Sequence, residues 1–462
     1  MKVRIAAIQL KPKFGDVAYN TLRASDIVSK LYKQDLPGPD ILVLPELVFT
    51  GYNFKSPTHI TPFLENFHAG VTKRSFFECP SIKWAIETSK TYQCFTVVGY
   101  PELFKDTIYN SSCLVSPIGS ILFNYRKSFL YKTDKVWGAK ENPVGFENFQ
   151  LNLNKEYYRE RKDLSKKFGV DESVFPRVHD QGKVLEPLVK NDGMVVEKIS
   201  RVVHKKTDFD IAVENLDDKY SETSIKTAMG ICMDLSNYEF KASFEKFEFS
   251  RYCLDNDVRL ILFPMAWLSS VSPEITYEKK NDDVGKEKDT KFLQDQLDSM
   301  TKEVELTTNI KDDDGKVMVN DSCDVNSALK RVDIRDIANY DKNAIDSSNV
   351  NFWILRGVPL YNSFYKMNAK IPDNNKIRYI VLCNRTGMED GVVYCGSTSI
   401  VKYTSESPVT LYEASQKESA DVKKIQKTFQ NFQELDNRNP SVEILGSLPT
   451  GREAVLIRDI EF

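Results

Sequence analysis

Short, continuous apolar runs alternate with helically spaced segments along this chain, and that alternation constrains its fold more than any other feature. The runs include KVRIAAIQL at 2–10, ILVLPE at 41–46 and RLILFPMAW at 259–267. A run without polar alternation is typical of a strand covered on both faces, as in a parallel sheet. Residues 20–34 and 77–92 have helical spacing and lie between such runs. The pattern predicts an α/β fold with a layered αββα architecture.

Two charged stretches interrupt this alternation, at about 150–220 and about 274–348; the second contains EKKNDDVGKEKDTK. Such composition favours surface insertions, partly mobile, over catalytic core, and a partner-docking role is the alternative. A chain of 462 residues is long enough for one large α/β domain with insertions. We therefore expect a single domain over 1–462 that carries these two insertions.

Composition and charge exclude several classes of protein. The net charge of -3 gives no electrostatic reason to expect nucleic acid or an anionic membrane as a partner. No stretch approaches the roughly 20 apolar residues of a membrane span, and the first residues do not form a secretory signal. The 8 cysteines are dispersed without a CxxC pair, which is typical of free thiols in a reducing compartment. We expect a protein of the cytoplasm or nucleus.

Cys232 stands in GICMDL, between a predicted strand and a segment with helical spacing. At such a junction a side chain is held over a pocket, so Cys232 is either a nucleophile or a small buried hydrophobe. The 4 histidines do not occur in metal-ligand spacing, and none is placed by strong local structure. The sequence therefore disfavours both a zinc site and a Cys–His pair.

Two further apolar strands also end on a reactive side chain. Glu46 follows ILVLP, and Lys127 follows ILFNYR. Taken alone, Glu46 is as readily interpreted as a solvated surface residue, and Lys127 is more readily interpreted so. Together with Cys232 they supply nucleophilic chemistry without histidine, because Glu46 can accept the thiol proton while the Lys127 cation stabilises a thiolate and an oxyanion.

Three segments, LPELVFTGY, NYRKSFLY and MGICMDL, resemble in order the motifs of the nitrilase, or carbon–nitrogen hydrolase, superfamily. NRTGMEDGVVYCGSTSIV is similar to the hairpin near the C-terminal end of that family's domain. The resemblance covers residues 1–145, 226–268 and 377–402. Within the superfamily, GICMDLSNYEF and SSNVNFWILR resemble the fungal N-terminal amidase branch. The resemblance implies a four-layer nitrilase-like αββα sandwich with Glu46 as general base, Lys127 as oxyanion stabiliser and Cys232 as nucleophile.

The resemblance also implies a reaction. Enzymes of that branch deamidate an N-terminal Asn or Gln of a protein or peptide to Asp or Glu, releasing ammonia through a thioester and using no metal or organic cofactor. The implied partners are protein or peptide N-termini, and an arginyltransferase or ubiquitin ligase of the N-degron pathway. No nucleic-acid or membrane partner is expected.

Five further residues are expected at the substrate. The resemblance implies the Met233 N–H as a second oxyanion donor and maps the family's additional glutamate to Glu141. Reading a free α-ammonium requires an acceptor, for which Asp234 and Glu141 are candidates, although Asp234 is equally well placed to cap a helix. Tyr52 and Trp267 are expected to wall the pocket, with ordinary core packing as the alternative.

Two other functions remain open from the sequence. A small-molecule amidase, acting on an amide or a carbamoyl amino acid, would keep the three reactive residues and change the substrate. A catalytically idle scaffold would instead recruit ligases through the charged insertions.

Overall fold

The computed structural model of the protein describes most of the 462-residue chain. The described residues are 1–33, 37–66, 79–170, 183–189, 195–201, 207–277, 282–298, 305–308, 340–362, 365–366, 368–371, 376–404 and 441–462.

Strands and helices are numbered here in chain order. The strands are β1 (Lys2–Gln9), β2 (Ile41–Val43), β3 (Phe95–Phe104), β4 (Thr107–Val115), β5 (Ile121–Arg126), β6 (Asn148–Asn152), β7 (Lys183–Val189), β8 (Val195–Arg201), β9 (Ser224–Met229), β10 (Leu260–Met265), β11 (Glu305–Thr308), β12 (Arg378–Asn384), β13 (Thr386–Glu389), β14 (Val392–Cys395), β15 (Ser399–Tyr403), β16 (Val442–Ser447) and β17 (Ala454–Glu461). The α-helices are α1 (Val17–Lys33), α2 (Pro57–Ile60), α3 (Pro80–Tyr92), α4 (Lys132–Val136), α5 (Lys155–Phe168), α6 (Asp208–Lys219), α7 (Glu248–Asp255), α8 (Pro273–Thr276), α9 (Asp283–Asp298), α10 (Ser347–Arg356) and α11 (Val358–Tyr361).

Two mixed sheets form the centre of the fold. The seven-stranded sheet has the order β11-β17-β1-β2-β3-β4-β5, with β1, β2 and β3 parallel. The six-stranded sheet has the order β16-β15-β12-β10-β9-β6, with β9, β10 and β12 parallel. Because the carboxyl ends of parallel strands share one edge of a sheet, the segments after β2, β9, β10 and β12 are brought to two such edges.

The alternation of side chains along β1 assigns its two faces. Ile5 and Ala7 belong to a core shared with Phe263 of the other sheet, whereas Ala6 and Ile8 pack with residues of α1 and α3. Helices α7 and α10 contribute to the core of the six-stranded sheet. The sheets also touch through polar groups, since the Cys383 thiol of β12 lies 3.1 Å from the Val43 carbonyl oxygen of β2. The predicted four-layer αββα sandwich is confirmed.

The two predicted insertions contain ordered elements. Residues 150–220 include α5, the antiparallel pair β7–β8 and α6, and 274–348 include α9 and β11, which pairs with β17 at the edge of a sheet. The expected mobility concerns segments such as 309–339, which lie outside the described residues. In the part of the chain that the structure describes, no helix is both long and apolar enough to cross a membrane.

The segment after Cys232 corrects a prediction made from helical spacing. A 3-10 turn covers Cys232–Leu235, and the α-helix begins only at Glu248. The intervening chain has left-handed backbone at Glu239, Phe240 and Phe247, with φ of 52°, 57° and 43°. Residues with side chains rarely adopt this conformation, so a continuous helix is interrupted there.

Candidate active site

A buried lysine joins two carboxylates just beyond β5. Lys127 Nζ donates to Glu46 Oε1 and to Asp134 Oδ2, each at 2.7 Å, and all three side chains are fully buried. Asn110 of β4 also bridges the two carboxylates. Its Nδ2 donates to Glu46 Oε1 at 2.6 Å and to Asp134 Oδ1 at 2.9 Å. The second Glu46 oxygen, Oε2, has no hydrogen-bond partner among the described residues.

Cys232 completes the group from the other sheet. Cys232 lies three residues beyond the end of β9. Its φ of 43° is left-handed, a strained conformation for a residue with a side chain. Cys232 is 7% exposed, so the thiol is nearly buried. Burial raises the pKa of the Cys232 thiol, and the Glu46 carboxylate raises it further against the opposing effects of Lys127 and the Ala266 N–H. Cys232 therefore rests as a neutral thiol that needs a base.

The electrostatics of Glu46 and Lys127 suit a base and a fixed cation. Burial raises the pKa of Glu46, and Lys127 opposes this rise. Burial acts to lower the pKa of Lys127, but the charges of Asp134 and Glu46 outweigh it and hold that pKa above its usual value. A carboxylate with a raised pKa is a better proton acceptor near neutral pH. The arrangement can thus deprotonate a thiol beside a permanent positive charge.

Asp234 joins the segment that follows Lys127 to the segment that contains Cys232. One oxygen accepts the N–H groups of Ser128 and Phe129, at 3.0 and 2.7 Å, and the other accepts Ile231 N–H at 2.9 Å and the Tyr125 hydroxyl at 3.0 Å. The side chain is fully buried, and burial raises its pKa to about 7 against the Ile231 and Phe129 N–H groups and the Lys127 charge. The structure favours the capping alternative for Asp234 over the role of α-ammonium acceptor, because both oxygens are already occupied.

The substitution Asp234→Asn tests this structural role. It replaces one acceptor oxygen by an NH₂ group facing protein donors, so we expect the free energy of unfolding to fall by about 1–3 kcal/mol and kcat to fall with it. Denaturant unfolding and steady-state kinetics measure the two effects. Asp217→Asn is the control, since Asp217 also accepts a tyrosine hydroxyl, that of Tyr157, at 2.6 Å. An Asp234 variant of normal stability whose only defect is a raised KM would instead indicate a substrate contact.

Besides Glu46, Asp134 is a second acidic residue bonded to Lys127. The mapping of the family's additional glutamate to Glu141 stays a prediction. Asp134 lies in the first turn of α4, where it also accepts the Tyr131 N–H at 2.8 Å. Glu141 is half-buried and accepts the hydroxyl of Tyr238, itself exposed, at 3.0 Å. Glu141 therefore joins the segment that follows Lys127 to the one that follows Cys232, near the surface.

Tyr52 and Trp267 lie on segments next to the reactive residues. The Tyr52 ring centre is 5.5 Å from Lys127 Nζ. Trp267 is partly buried, follows Ala266, and donates its indole N–H to Asn349 Oδ1 at 3.0 Å. Met233 is the second residue of the short 3-10 turn that begins at Cys232, which places its N–H beside the thiol-bearing residue.

Sequence patterns did not predict Asp134 and Asn110. Asp134 occurs in YKTDKV, which is indistinguishable from a solvated charged turn, and Asn110 lies within β4. The available indication for Asp134 was its position, three residues after Tyr131. An acidic side chain at the third position of a helix can bond the backbone of the residue that precedes the helix.

Comparison with known proteins agrees with this architecture. A model of the carbon–nitrogen hydrolase family matches residues 4–173. The protein N-terminal amidase of Saccharomyces cerevisiae is 28% identical over 525 aligned residues, covering 100% of this chain and 96% of the relative. Crystal structures of an N-terminal amidase with a Gln-Val peptide and with an Asn-Glu peptide each match with a TM-score of 0.66 and 26% identity, covering 100% of this chain and 98% of the other. With the two-sheet sandwich described above, the chain is thus similar to carbon–nitrogen hydrolases over residues 4–173 and to N-terminal amidases over its full length.

Proposed function

We propose that this protein is an amidohydrolase that deamidates an N-terminal Asn or Gln of proteins and peptides to Asp or Glu. The main observation behind the chemistry is the buried Lys127–Glu46 pair, in which one Glu46 oxygen is unpaired among the described residues and whose charges both act on the Cys232 thiol. The choice of substrate rests on full-length similarity to N-terminal amidases, which include structures with Gln-Val and Asn-Glu peptides.

The first half-reaction forms a thioester. Glu46 takes the thiol proton as the Cys232 sulfur attacks the carbon of the side-chain carboxamide. The negative charge that develops on the carboxamide oxygen is stabilised by the Lys127 ammonium and the Met233 N–H. The tetrahedral adduct collapses when the carbon–nitrogen bond breaks, and Glu46 gives its proton to the leaving nitrogen to release ammonia.

The second half-reaction hydrolyses the thioester. Glu46, again a carboxylate, takes a proton from water as the water oxygen attacks the thioester carbon. The carbon–sulfur bond breaks and the proton returns to Cys232. One amide and one water become one carboxylic acid and one ammonia, so neither a metal nor an organic cofactor enters the proposed reaction.

Selecting a chain terminus requires an acceptor for the α-ammonium. With both oxygens of Asp234 occupied, Glu141 is the better of the two candidates from the sequence, because its accessible carboxylate bonds only a tyrosine hydroxyl in the described structure. Trp267 and Tyr52 provide apolar surface for the rest of the terminal residue. We propose that the product, a terminal Asp or Glu, passes to an arginyltransferase and then to a ubiquitin ligase of the N-degron pathway, in the cytoplasm or nucleus.

The test is an ammonia assay on matched peptides. We expect release from short peptides that begin with Asn or Gln, with conversion of the terminal amide to an acid seen by mass spectrometry. An N-acetylated peptide and free asparagine should release none, and Glu141→Gln should raise KM for the free peptide far more than it lowers kcat. Release from free asparagine or the acetylated peptide would indicate a small-molecule amidase, and no release from any amide would indicate an idle scaffold.

A further inference from the structure

A small hairpin outside both main sheets reaches the segment that follows Glu46. It consists of β13 and β14, joined by Asp390 and Gly391, which have φ of 47° and 77°. Two consecutive left-handed residues are typical of the tight turn that matches the twist of a hairpin. Because β13 begins two residues after the end of β12, the hairpin starts at the same edge of the sheet as the candidate active site.

Glu389, the last residue of β13, binds the backbone after Glu46. Its Oε2 accepts the N–H groups of Tyr52 at 3.0 Å and Asn53 at 3.1 Å, and also the hydroxyl of Tyr394 at 3.0 Å. The carboxylate is 4% exposed. A buried carboxylate that receives three donors holds their positions firmly, since displacing any of them leaves a polar group unsatisfied.

Arg385 neutralises this carboxylate. Its guanidinium is fully buried, forms an ion pair with Glu389 Oε1 and lies 4.0 Å from the centre of the Tyr394 ring. Removing two charges from water is so unfavourable that a buried ion pair is weak support for stability alone. We name this group the hairpin clamp; it consists of Arg385, Glu389 and Tyr394. Stability alone does not explain why these charges are buried, so a functional reason is sought.

The group that the clamp holds in place is Tyr52. Its hydroxyl is buried and has no hydrogen-bond partner among the described residues, although its ring lies 5.5 Å from Lys127 Nζ. After burial itself, the charges that raise the pKa of Tyr52 most are those of Asp134, Glu46 and Cys232. An unpaired buried hydroxyl is unfavourable in the free enzyme, and a polar substrate atom beside these residues would satisfy it.

We propose that the hairpin clamp is a positioning device that fixes the Tyr52 hydroxyl over the reacting thiol, where it hydrogen-bonds the side-chain carboxamide of the substrate. The inference rests on the proposed amide hydrolysis and extends it. Tyr52 touches the substrate, whereas Glu389, Arg385 and Tyr394 act through Tyr52. The hairpin thereby makes a segment more than 300 residues away in sequence part of substrate recognition.

A double-mutant cycle separates positioning from folding. Tyr52→Phe should lower kcat/KM by about 10- to 100-fold, the effect of one lost hydrogen bond to the substrate. Glu389→Gln should lower it by about 10-fold in the wild-type background but by less than about 2-fold beside Tyr52→Phe, because the hydroxyl that it positions is then absent. Equal losses in both backgrounds would overturn the proposal.

Two further variants test whether the losses arise from positioning of Tyr52 rather than from misfolding. Tyr394→Phe removes a single hydrogen bond to Glu389 and should show a smaller loss with the same dependence on Tyr52, even where Glu389→Gln folds poorly. Glu453→Gln is the matched control, since Glu453 likewise accepts one backbone N–H, from Lys11 at 3.0 Å, and an arginine, Arg23 at 2.7 Å. Its kcat/KM should stay within about 2-fold of wild type.

The same cycle distinguishes failure of the clamp from failure of the proposed function. It is measured on whichever amide the wild-type protein hydrolyses, so a wrong substrate assignment is detected in the wild-type assay and leaves the coupling measurable. A wild-type protein that hydrolyses no amide overturns both proposals together.

Discussion

The substitution Cys232→Ser is expected to lower kcat for peptide deamidation by at least about 1,000-fold. A serine hydroxyl is far less acidic than a thiol, so the Glu46 carboxylate cannot generate a comparable nucleophile from it. The rest of the site should be unaffected, because the two side chains are of similar shape and Cys232 is already a neutral, nearly buried group. Ammonia release under substrate saturation measures the change.

The covalent intermediate supplies a second measurement. Acid-quenched wild-type enzyme should carry an adduct equal in mass to the peptide less ammonia, and Cys232→Ser should carry none. Cys94→Ala is the control, since Cys94 is likewise a buried free cysteine but precedes β3, away from the carboxyl ends of the parallel strands. Retention of activity in Cys232→Ser, or its equal loss in Cys94→Ala, would remove Cys232 from the mechanism.

The sequence predicted that Glu46, Lys127 and Cys232 lie near one another because each comes within three residues of the end of a strand. Apolar strands are recognisable from local pattern alone, and the geometry of parallel sheets then brings the residues beyond their carboxyl ends close together. The same reasoning predicted the αββα sandwich.

Contacts made at long range were not accessible in the same way. Asp134 reaches Lys127 only because α4 turns the chain back, and Glu389 bonds Tyr52 across 337 residues. For Asp234 the sequence left two roles equal, and only the packing of Tyr125 and the two adjacent backbone segments distinguishes them. Local pattern reports which residue types are available, whereas burial and pairing depend on how distant segments meet.

The substitution Lys127→Met should reduce both activity and stability, for reasons that can be separated. Loss of the ammonium removes an oxyanion donor, so kcat should fall at least about 100-fold. It also leaves the Glu46 and Asp134 carboxylates buried without their cation, which should lower the free energy of unfolding by about 3–5 kcal/mol near neutral pH. Lys135→Met is the control, because that exposed lysine of α4 pairs with Glu239 at the surface.

The pH dependence identifies the cause of the instability in Lys127→Met. Burial raises the pKa of Glu46 and Lys127 opposes that rise, so without the cation the folded pKa of Glu46 lies further above its unfolded value of about 4. The folded chain then binds more protons than the unfolded chain between those two values. Stability lost near neutral pH should therefore return as the pH falls towards the unfolded pKa. Adding Glu46→Gln and Asp134→Asn should restore most of the stability and none of the activity, as measured by denaturant unfolding at about pH 5 and about pH 8. An equal deficit at both pH values would mean that lost packing, rather than the uncompensated carboxylates, destabilises the variant.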